Sequence, residues 1–276
     1  MKTKSLFFLS LILLISCSSN KSIQSIDSNY VNTIKVMTYN IHHGNPPSQT
    51  SEVLDLDTIA EVIKLSQSDI IGLQELDSVT NRSNQVFQLK YLADKLGMHS
   101  YFGKSISYQE GAYGVGILSK FPIKDAWTFL LPKDSTLESE SRVVAATEIM
   151  LPKENNIIFA VSHWDHTSDL NRILQAREIN SIFNNQPLPV ILTGDMNAAP
   201  ESKSIKILEQ QFQNASRKND PTIPNINPRN KIDYVFLSKG KDLTFSNESV
   251  LIETNYPSDH LPFVVEIHLT TTNYAR

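Results

Sequence analysis

Residues 189–197 have the sequence P-V-I-L-T-G-D-M-N, and the rest of the chain is organised around this stretch. The apolar and β-branched run at residues 190–193 predicts a strand that is buried on both faces. Gly194 then permits a tight turn, and the alternation of side chains along a strand predicts that Asp195 and Asn197 point the same way. A carboxylate and an amide would meet solvent at the edge of a sheet, although the same residues are equally typical of a plain turn.

Strands and helices alternate on both sides of this stretch. Apolar runs predict strands at residues 34–41 and 69–74, and apolar residues at helical spacing from Leu56 to Ile63 predict a helix between them. Such strand–helix–strand units predict parallel strands. Further strands are predicted at residues 99–106, 113–119, 123–131, 142–150, 157–162, 232–237, 249–253 and 263–269, and further helices at residues 85–96, 169–183 and 201–211.

The N-terminal residues have the features of an export signal. Lys2 and Lys4 precede an apolar run at residues 6–15, which is too short to span a membrane as a mature helix. The following L-I-S-C resembles the lipobox of bacterial lipoproteins, in which the cysteine becomes the lipidated first residue. Cys17 is the only cysteine, so an intramolecular disulfide is excluded. The alternative is a plain secretory signal with an incidental cysteine.

These features predict a signal peptide at residues 1–16, a flexible tether rich in Ser and Asn at residues 17–33, one domain at residues 34–270 and a short tail at residues 271–276. The expected location is the bacterial cell envelope, with a lipid anchor facing the periplasm or the cell surface. The net charge of -4 shows no basic excess of the kind that duplex nucleic acid favours. Nucleic acid is therefore a less favoured partner, and we expect a monomer.

Polar and ionisable residues collect where the predicted strands end. If these ends meet at one edge of two packed sheets, they form a cleft with several carboxylates, which repel one another unless a cation or protons neutralise them. Carboxylate and amide oxygens suit Mg²⁺, with Mn²⁺ as the alternative, better than Zn²⁺, which would need more His or Cys ligands. The residues concerned are Asn40, Glu75, His163, Asp195, Asn197, Asp259 and His260.

Six short motifs occur in chain order over residues 34–269. They are T-Y-N-I at Asn40, L-Q-E at Glu75, S-H-W-D at His163, G-D-M-N at Asp195 and Asn197, K-I-D-Y-V-F at Asp233, and S-D-H-L-P at Asp259 and His260. This series resembles that of the endonuclease/exonuclease/phosphatase superfamily. The resemblance implies an α/β (α+β) fold with four αββα layers, in which two mixed β-sheets lie face to face between helices, as in DNase I-like proteins. It also implies a metal-dependent hydrolase acting on phosphoric ester bonds.

The same resemblance implies roles around a metal ion and a water molecule. Glu75 would be the main metal ligand, helped by Asn40 and Asp259. Asp195 would orient or deprotonate the attacking water, and Asn197 would hold this water or a phosphate oxygen. A cation and several donors are needed together because the negative charge of a phosphate ester repels a nucleophile.

The remaining implied roles concern the phosphate. His260 and His163 would contact it from two sides, and Asp233 or Asp259 would fix the tautomer of His260. Arg142 would lie near the substrate.

Several alternatives stay open from the sequence. Asn40 could cap a turn, Glu75 could pair with Arg82, and Asp233 could be a buried structural acceptor. His42, His43 and Asp165 have no role that the sequence favours, and His166 is expected at the surface. A DNase I-like nuclease and a non-catalytic binding lipoprotein are the alternatives to an envelope-anchored phosphoesterase, and substrates vary readily on such folds.

Overall fold

The computed structural model describes residues 30–252 and 257–271. The predicted signal peptide, Cys17, most of the tether and all but the first residue of the tail lie outside these residues. In chain order the strands are β1 (Tyr30–Asn40), β2 (Ile70–Ser78), β3 (His99–Tyr108), β4 (Gly111–Ser119), β5 (Ile123–Leu130), β6 (Val143–Leu151), β7 (Asn155–His163), β8 (Val190–Asp195), β9 (Phe212–Asn214), β10 (Asp233–Ser238), β11 (Leu243–Val250) and β12 (Phe263–Thr271).

The strands form two six-stranded mixed sheets, with the orders β11-β12-β1-β2-β4-β3 and β5-β6-β7-β8-β10-β9. The predicted parallel pairs are present, because β1 pairs with β2 and β7 pairs with β8 in parallel. Four α-helices and two short 3-10 turns complete the described chain. They are α1 (Leu56–Ser66), α2 (Gln88–Leu96), α3 (Asp169–Ile182) and α4 (Lys203–Leu208), with the 3-10 turns at His42–Gly44 and Pro152–Glu154.

The two sheets pack face to face around a shared apolar core. Val36 and Ile70 of the first sheet lie in one buried cluster with Val161, Ile191 and Val235 of the second. Burial of such side chains is the main favourable contribution to folding. The strand β8 is buried along its whole length, as its unbroken apolar run predicts.

Helices cover the outer face of each sheet. Ile59 of α1 and Leu92 of α2 pack with Tyr39 of the first sheet, whereas Ile179 of α3 packs with Tyr234 of the second. The predicted four-layer αββα sandwich is therefore confirmed. Among the described residues, no helix combines the length and the apolar character needed to cross a bilayer.

Local sequence sets the limits of these helices. The side chain of Asp55 accepts a hydrogen bond from the Thr58 amide at the start of α1, and Ser168 does the same for the Asn171 amide at the start of α3. Such caps satisfy amides that have no partner inside the helix. Gly97 ends α2 in the left-handed conformation, which glycine adopts without steric cost.

Two glycines allow the backbone to approach closely beside the strand β8. A Cβ atom on Gly72 would lie 2.1 Å from Oγ1 of Thr193 in the opposite sheet, and one on Gly194 would lie 2.2 Å from the carbonyl oxygen of Ser162 on β7. Gly194 is thus needed for close strand contact inside β8. The prediction that it forms a turn is wrong, because β8 continues through Gly194 to Asp195.

The sequence misplaced one strand and missed another. The strand predicted at residues 249–253 is β11, which spans Leu243–Val250. Its buried Leu243 and Phe245 alternate with polar residues, and its pairing with β12 shifts register between Ser246 and Ser249, which interrupts the apolar pattern. The three-residue strand β9 was not predicted.

Candidate active site

Residues from all six motifs converge at one end of the sandwich, where the two sheets meet. Asn40 ends β1 in the first sheet, and its amide Nδ2 donates to Oδ2 of Asp195, which ends β8 in the second. His163 and Asp233 are the register partners of Asp195 on the neighbouring strands. His260 enters from the loop before β12. The packing of the two sheets therefore brings together side chains that are far apart in the sequence.

One oxygen of Asp195 lies at the centre of this group. Its Oδ2 atom is 3.1 Å from Nδ2 of Asn40 and 3.6 Å from Nε2 of both His163 and His260. Burial and, next, the negative charge of Asp233 raise the pKa of Asp195, against the opposing effect of His260. A buried carboxylate with a raised pKa is a stronger proton acceptor than an exposed one.

Asp233 holds His260 in a defined orientation. Its Oδ2 atom lies 2.9 Å from Nδ1 of His260 and also accepts a hydrogen bond from Thr222. Burial alone would lower the pKa of His260, but the charges of Asp233 and Asp195 outweigh it and raise this pKa. The imidazole is therefore a cation that donates through Nδ1 to Asp233 and presents its Nε2–H towards Asp195.

Asp259 precedes His260 in the S-D-H-L-P motif, but the two side chains make different contacts. Of the two acids that the sequence left open as the partner of His260, Asp233 makes the Nδ1 contact. The Asp259 carboxylate lies 3.4 Å from the hydroxyl of Ser258, and its backbone carbonyl accepts from the amide of Asn225. The predicted metal-ligand role of Asp259 stays a prediction.

Arg142 fixes the orientation and the tautomer of the His163 imidazole. Its Nη1 atom lies 3.2 Å from Nδ1 of His163, and because a guanidinium can only donate, this nitrogen must accept. The proton of His163 is then on Nε2, the atom that faces Asp195. Burial and, next, the charge of Arg142 hold the pKa of His163 well below its ordinary value. The buried Arg142 also contacts His166 at 3.3 Å and Glu140 at 3.2 Å.

Glu75 leaves the regular strand at a β-bulge. The pairing of β2 with β4 shifts between Leu73 and Leu76, and Glu75 between them has a left-handed φ of 59°. The prediction that Glu75 ends its strand is wrong, since β2 continues to Ser78. Bulges of this kind redirect a side chain and are common beside active sites. Here the bulge positions Glu75 where Nδ2 of Asn40 donates to its Oε1 at 3.0 Å.

The Glu75 carboxylate is an anion in a partly open position, and its side chain keeps 23% of its exposure. Burial would raise its pKa, but the neighbouring His43 ring and the hydrogen bond from Asn40 hold this pKa well below its usual range. Asn40 presents its amide nitrogen to Glu75 and Asp195, while its Oδ1 accepts from the His42 amide. In this arrangement Asn40 holds the two carboxylates together, and its predicted role as an oxygen ligand stays a prediction.

The ligand atoms at and around Glu75 fit a divalent cation. An anionic, partly exposed carboxylate is the ligand that such ions bind first, and ligand atoms of His42 and His43 lie within 4.8 Å of each other and of Glu75. A second set with the same spacing consists of Asp195, Asp233 and His260, but the protonated ring of His260 has no lone pair for a metal ion. The geometry thus supplies candidate ligands without fixing the identity of the ion.

Asn197 reaches the site through a turn. The strand ends at Asp195, and Asn197 has a left-handed φ of 46°. The prediction that strand alternation sets the direction of the Asn197 side chain is therefore wrong. Its backbone amide donates to Oδ1 of Asp195 at 2.9 Å, and its Nδ2 donates to the carbonyl of Trp164 at 3.0 Å. Asn197 therefore orients the Asp195 carboxylate directly.

Asp165, whose role the sequence left open, makes contacts that stabilise the fold. The buried Asp165 accepts hydrogen bonds from Thr167, Ser168 and Asn171 and so stabilises the loop that leads into α3. His166 is exposed, as predicted.

The sequence left open an ion pair between Glu75 and Arg82. The structure excludes this pair, because Arg82 pairs instead with the buried Asp77 at 2.7 Å. Sequence reasoning missed Thr222, which lies in a loop without any periodic pattern. It also missed Ser258, whose hydroxyl donates to the carbonyl of Asn40.

The chain belongs to the endonuclease/exonuclease/phosphatase family, whose sequence profile matches residues 37–260. Members of this family are hydrolases that act on phosphate esters, and they are typically metal-dependent. The chain is 24% identical over 251 residues to the uncharacterized protein YbhP of Escherichia coli K12, an alignment that covers 86% of this chain and 97% of YbhP.

Solved structures of low sequence identity share the fold. An endonuclease/exonuclease/phosphatase protein from Beutenbergia cavernae superimposes with a TM-score of 0.77 at 20% identity, covering 88% of this chain and 73% of that one. The mannosyl-6-phosphatase Bt3783 of Bacteroides thetaiotaomicron superimposes with a TM-score of 0.69 at 21% identity, covering 85% and 99%.

Proposed function

We propose that this chain hydrolyses a small phosphomonoester or phosphodiester by attack of water, with the help of a divalent cation. The observation that carries the proposal is the position of Asp195, whose Oδ2 atom faces side-chain nitrogens of Asn40, His163 and His260 while Asn40 also holds Glu75. A proton acceptor, the two imidazole donors and a candidate metal ligand thus surround one small space.

The roles follow from these contacts. Asp195 accepts the proton of the attacking water, and Asn197 orients its carboxylate. His163 and His260 donate through Nε2 to the phosphate oxygens, because at 3.6 Å neither nitrogen is committed to a strong hydrogen bond with Asp195. Glu75 would hold Mg²⁺ or Mn²⁺, which neutralises charge on the phosphate when bound.

A nearby cavity supports a small substrate. It has a volume of about 430 Å³, and Arg142 connects it to the phosphate site because this side chain contacts both His163 and the cavity residue His166. Three of its lining residues are acidic, so the cavity suits a polar, uncharged alcohol group esterified to the phosphate and disfavours a polyanion. Its lining consists of Glu138, Ser139, Glu140, Asp165, His166 and Thr167. The likeness to a mannosyl-6-phosphatase agrees with a small substrate.

A hydrolysis screen of the purified chain tests this proposal. Phosphomonoesters, phosphodiesters, phospholipids and nucleic acid are each incubated with EDTA, and again after Mg²⁺ or Mn²⁺ is restored. We expect metal-dependent release of product from a small ester. Steeply salt-dependent cleavage of nucleic acid alone would instead identify a nuclease, and no hydrolysis of any substrate with any metal would refute an enzymatic role.

Two variants tie the activity to the site. Asp195→Asn and Glu75→Gln keep the shapes of the side chains but remove the charge, so each should lower kcat by about 10²-fold or more. Glu61→Gln, on the exposed face of α1, is the matched control and should retain the wild-type rate. Equal activity of all three variants would exclude this site.

We also propose that lipidated Cys17 anchors the enzyme at the bacterial cell envelope. The support is the sequence at residues 1–17. In cells fed a labelled fatty acid, the wild-type chain should carry the label and fractionate with membranes, and Cys17→Ser should lose both properties. Absence of label from the wild-type chain would refute the anchor.

A further inference from the structure

We propose that His42 and His43 join Glu75 in a two-imidazole, one-carboxylate site that binds a divalent transition ion in preference to Mg²⁺. The inference deepens the proposed function, because it concerns the cation at the same site and rests on Glu75 being a ligand. It is carried by positions that the family motifs leave without a role. Ligand atoms of the three residues lie within 4.8 Å of one another.

The contacts of His42 leave one ring nitrogen ready to bind. Its Nδ1 atom lies 2.8 Å from the carbonyl oxygen of Asn45, and a carbonyl can only accept, so Nδ1 carries the proton. In the neutral ring, Nε2 then has a free lone pair. A backbone carbonyl that fixes one ring nitrogen is the usual support for a histidine that binds metal through the other.

His43 has a buried ring nitrogen without a hydrogen bond. Within the described residues its Nδ1 atom has no hydrogen-bond partner, and it faces Oε2 of Glu75 at 3.9 Å, beyond hydrogen-bonding distance. Buried polar atoms are nearly always satisfied, so an exception requires an explanation. A cation between His43 and Glu75 would satisfy both groups.

Contacts behind the site hold these residues in place. The buried side chain of Gln88 donates to the carbonyl of His43 at 2.6 Å and accepts from the amide of Asp77 on β2 at 2.9 Å. It thereby ties the histidine turn to the strand that carries Glu75. All three proposed ligands have left-handed φ values, which are uncommon for residues other than glycine.

The chemistry of this set predicts the choice of ion. Mg²⁺ favours oxygen ligands and gives up its water reluctantly, whereas Co²⁺ and Zn²⁺ bind imidazole nitrogen more tightly than Mn²⁺ does. With both imidazoles engaged, the site should therefore bind Co²⁺ and Zn²⁺ more tightly than Mn²⁺, and Mn²⁺ more tightly than Mg²⁺.

Calorimetry of the purified, metal-free chain tests the inference without any substrate. Each of the four ions is titrated separately, and the visible absorption of bound Co²⁺ reports its ligands. We expect a Kd for Co²⁺ at least about tenfold below that for Mg²⁺. A Kd for Mg²⁺ equal to or below that for Co²⁺ would overturn the inference.

The variants His42→Gly and His43→Gly remove each imidazole while keeping a residue that tolerates the left-handed backbone. Each should weaken Co²⁺ binding by about tenfold or more and change the absorption of bound Co²⁺, whereas Mg²⁺ binding should change less than twofold. His99→Ala, at an exposed position on β3, is the control for adventitious binding and should match the wild-type chain.

Unchanged Co²⁺ affinity and spectrum in both glycine variants would assign the two histidines to hydrogen bonding alone and overturn the inference. Circular dichroism confirms that each variant is folded, and His42→Asn and His43→Asn provide a second pair if a glycine variant unfolds. Because these readouts do not depend on turnover, failure of the inference is distinguishable from an absence of hydrolytic activity.

Discussion

The Nδ1 atom of His260 lies 2.9 Å from Oδ2 of Asp233, and the opposite ring nitrogen faces Asp195 at 3.6 Å. The other carboxylate oxygen of Asp233 is buried and has no hydrogen-bond partner among the described residues. The protonated ring is therefore the main compensation for a buried negative charge. The pair makes His260 a fixed cationic donor at the place where negative charge develops on the phosphate.

Replacing Asp233 by Asn should preserve the shape of this contact and remove its charge. We expect kcat to fall by about 10²-fold to 10⁴-fold, because a neutral partner no longer holds the protonated ring. Steady-state kinetics on the substrate identified by the screen measures this loss, and proton NMR should show the hydrogen-bonded Nδ1 proton of His260 only in the wild-type chain. Asp94→Asn, at an exposed position on α2, is the control. A wild-type kcat in Asp233→Asn would contradict the role of the pair.

Arg142 should not be replaceable by lysine. Its guanidinium contacts His163, His166 and Glu140 at once, which a single ammonium group cannot do. We expect Arg142→Lys to lower kcat/KM by at least about tenfold, nearly as much as Arg142→Met. The exposed Arg177 on α3 provides the control Arg177→Lys. Full activity of Arg142→Lys would show that only a positive charge is needed at this position.

The sequence predicted the strands that carry the site because their apolar runs are long and their polar residues follow in a recognisable order. It could not predict the bulge at Glu75, because that bulge exists only through the pairing of β2 with β4. Nor could it place Thr222 beside Asp233, since a loop without periodicity gives no contact information. The approach of His42 and His43 to Glu75 likewise depends on Gln88, which lies on a distant helix.

Close packing of the sheets at Gly72 should be sensitive to a single methyl group. Gly72→Ala would place a Cβ atom 2.1 Å from Oγ1 of Thr193, so the Thr193 side chain or one of the sheets must shift. We expect a loss of about 1–3 kcal/mol in the free energy of unfolding. The double variant with Thr193→Ala, which removes the clashing oxygen, should be more stable than the sum of the single changes predicts. Urea denaturation of all four proteins measures the coupling, and strict additivity would contradict the proposed clash.

Lys231 should make stability depend on pH in the alkaline range. Its ammonium group is buried, has no hydrogen-bond partner among the described residues and lies 3.3 Å from the ring centroid of Phe263. Burial lowers the pKa of Lys231 to about 7, against the opposing charge of Asp233. Between pH 7 and its unperturbed value of 10.5, the unfolded chain therefore binds more protons than the folded one, and stability rises with pH.

Lys231→Met removes this dependence while keeping an unbranched side chain of similar length. Below pH 7 the wild-type chain bears the full cost of the buried charge, so the variant should be more stable there by a few kcal/mol, of the order that the pKa shift implies. As the pH rises towards 10.5, the wild-type lysine loses its proton in the folded state and the difference should shrink towards zero. Thermal melts at pH 6, 7, 9 and 10 measure this trend, with the exposed Lys218→Met as a control that should show none. A difference in Tm between Lys231→Met and the wild-type chain that stays constant over this range would mean that Lys231 keeps its proton in the folded protein, with Asp233 and the Phe263 ring compensating the burial of its charge.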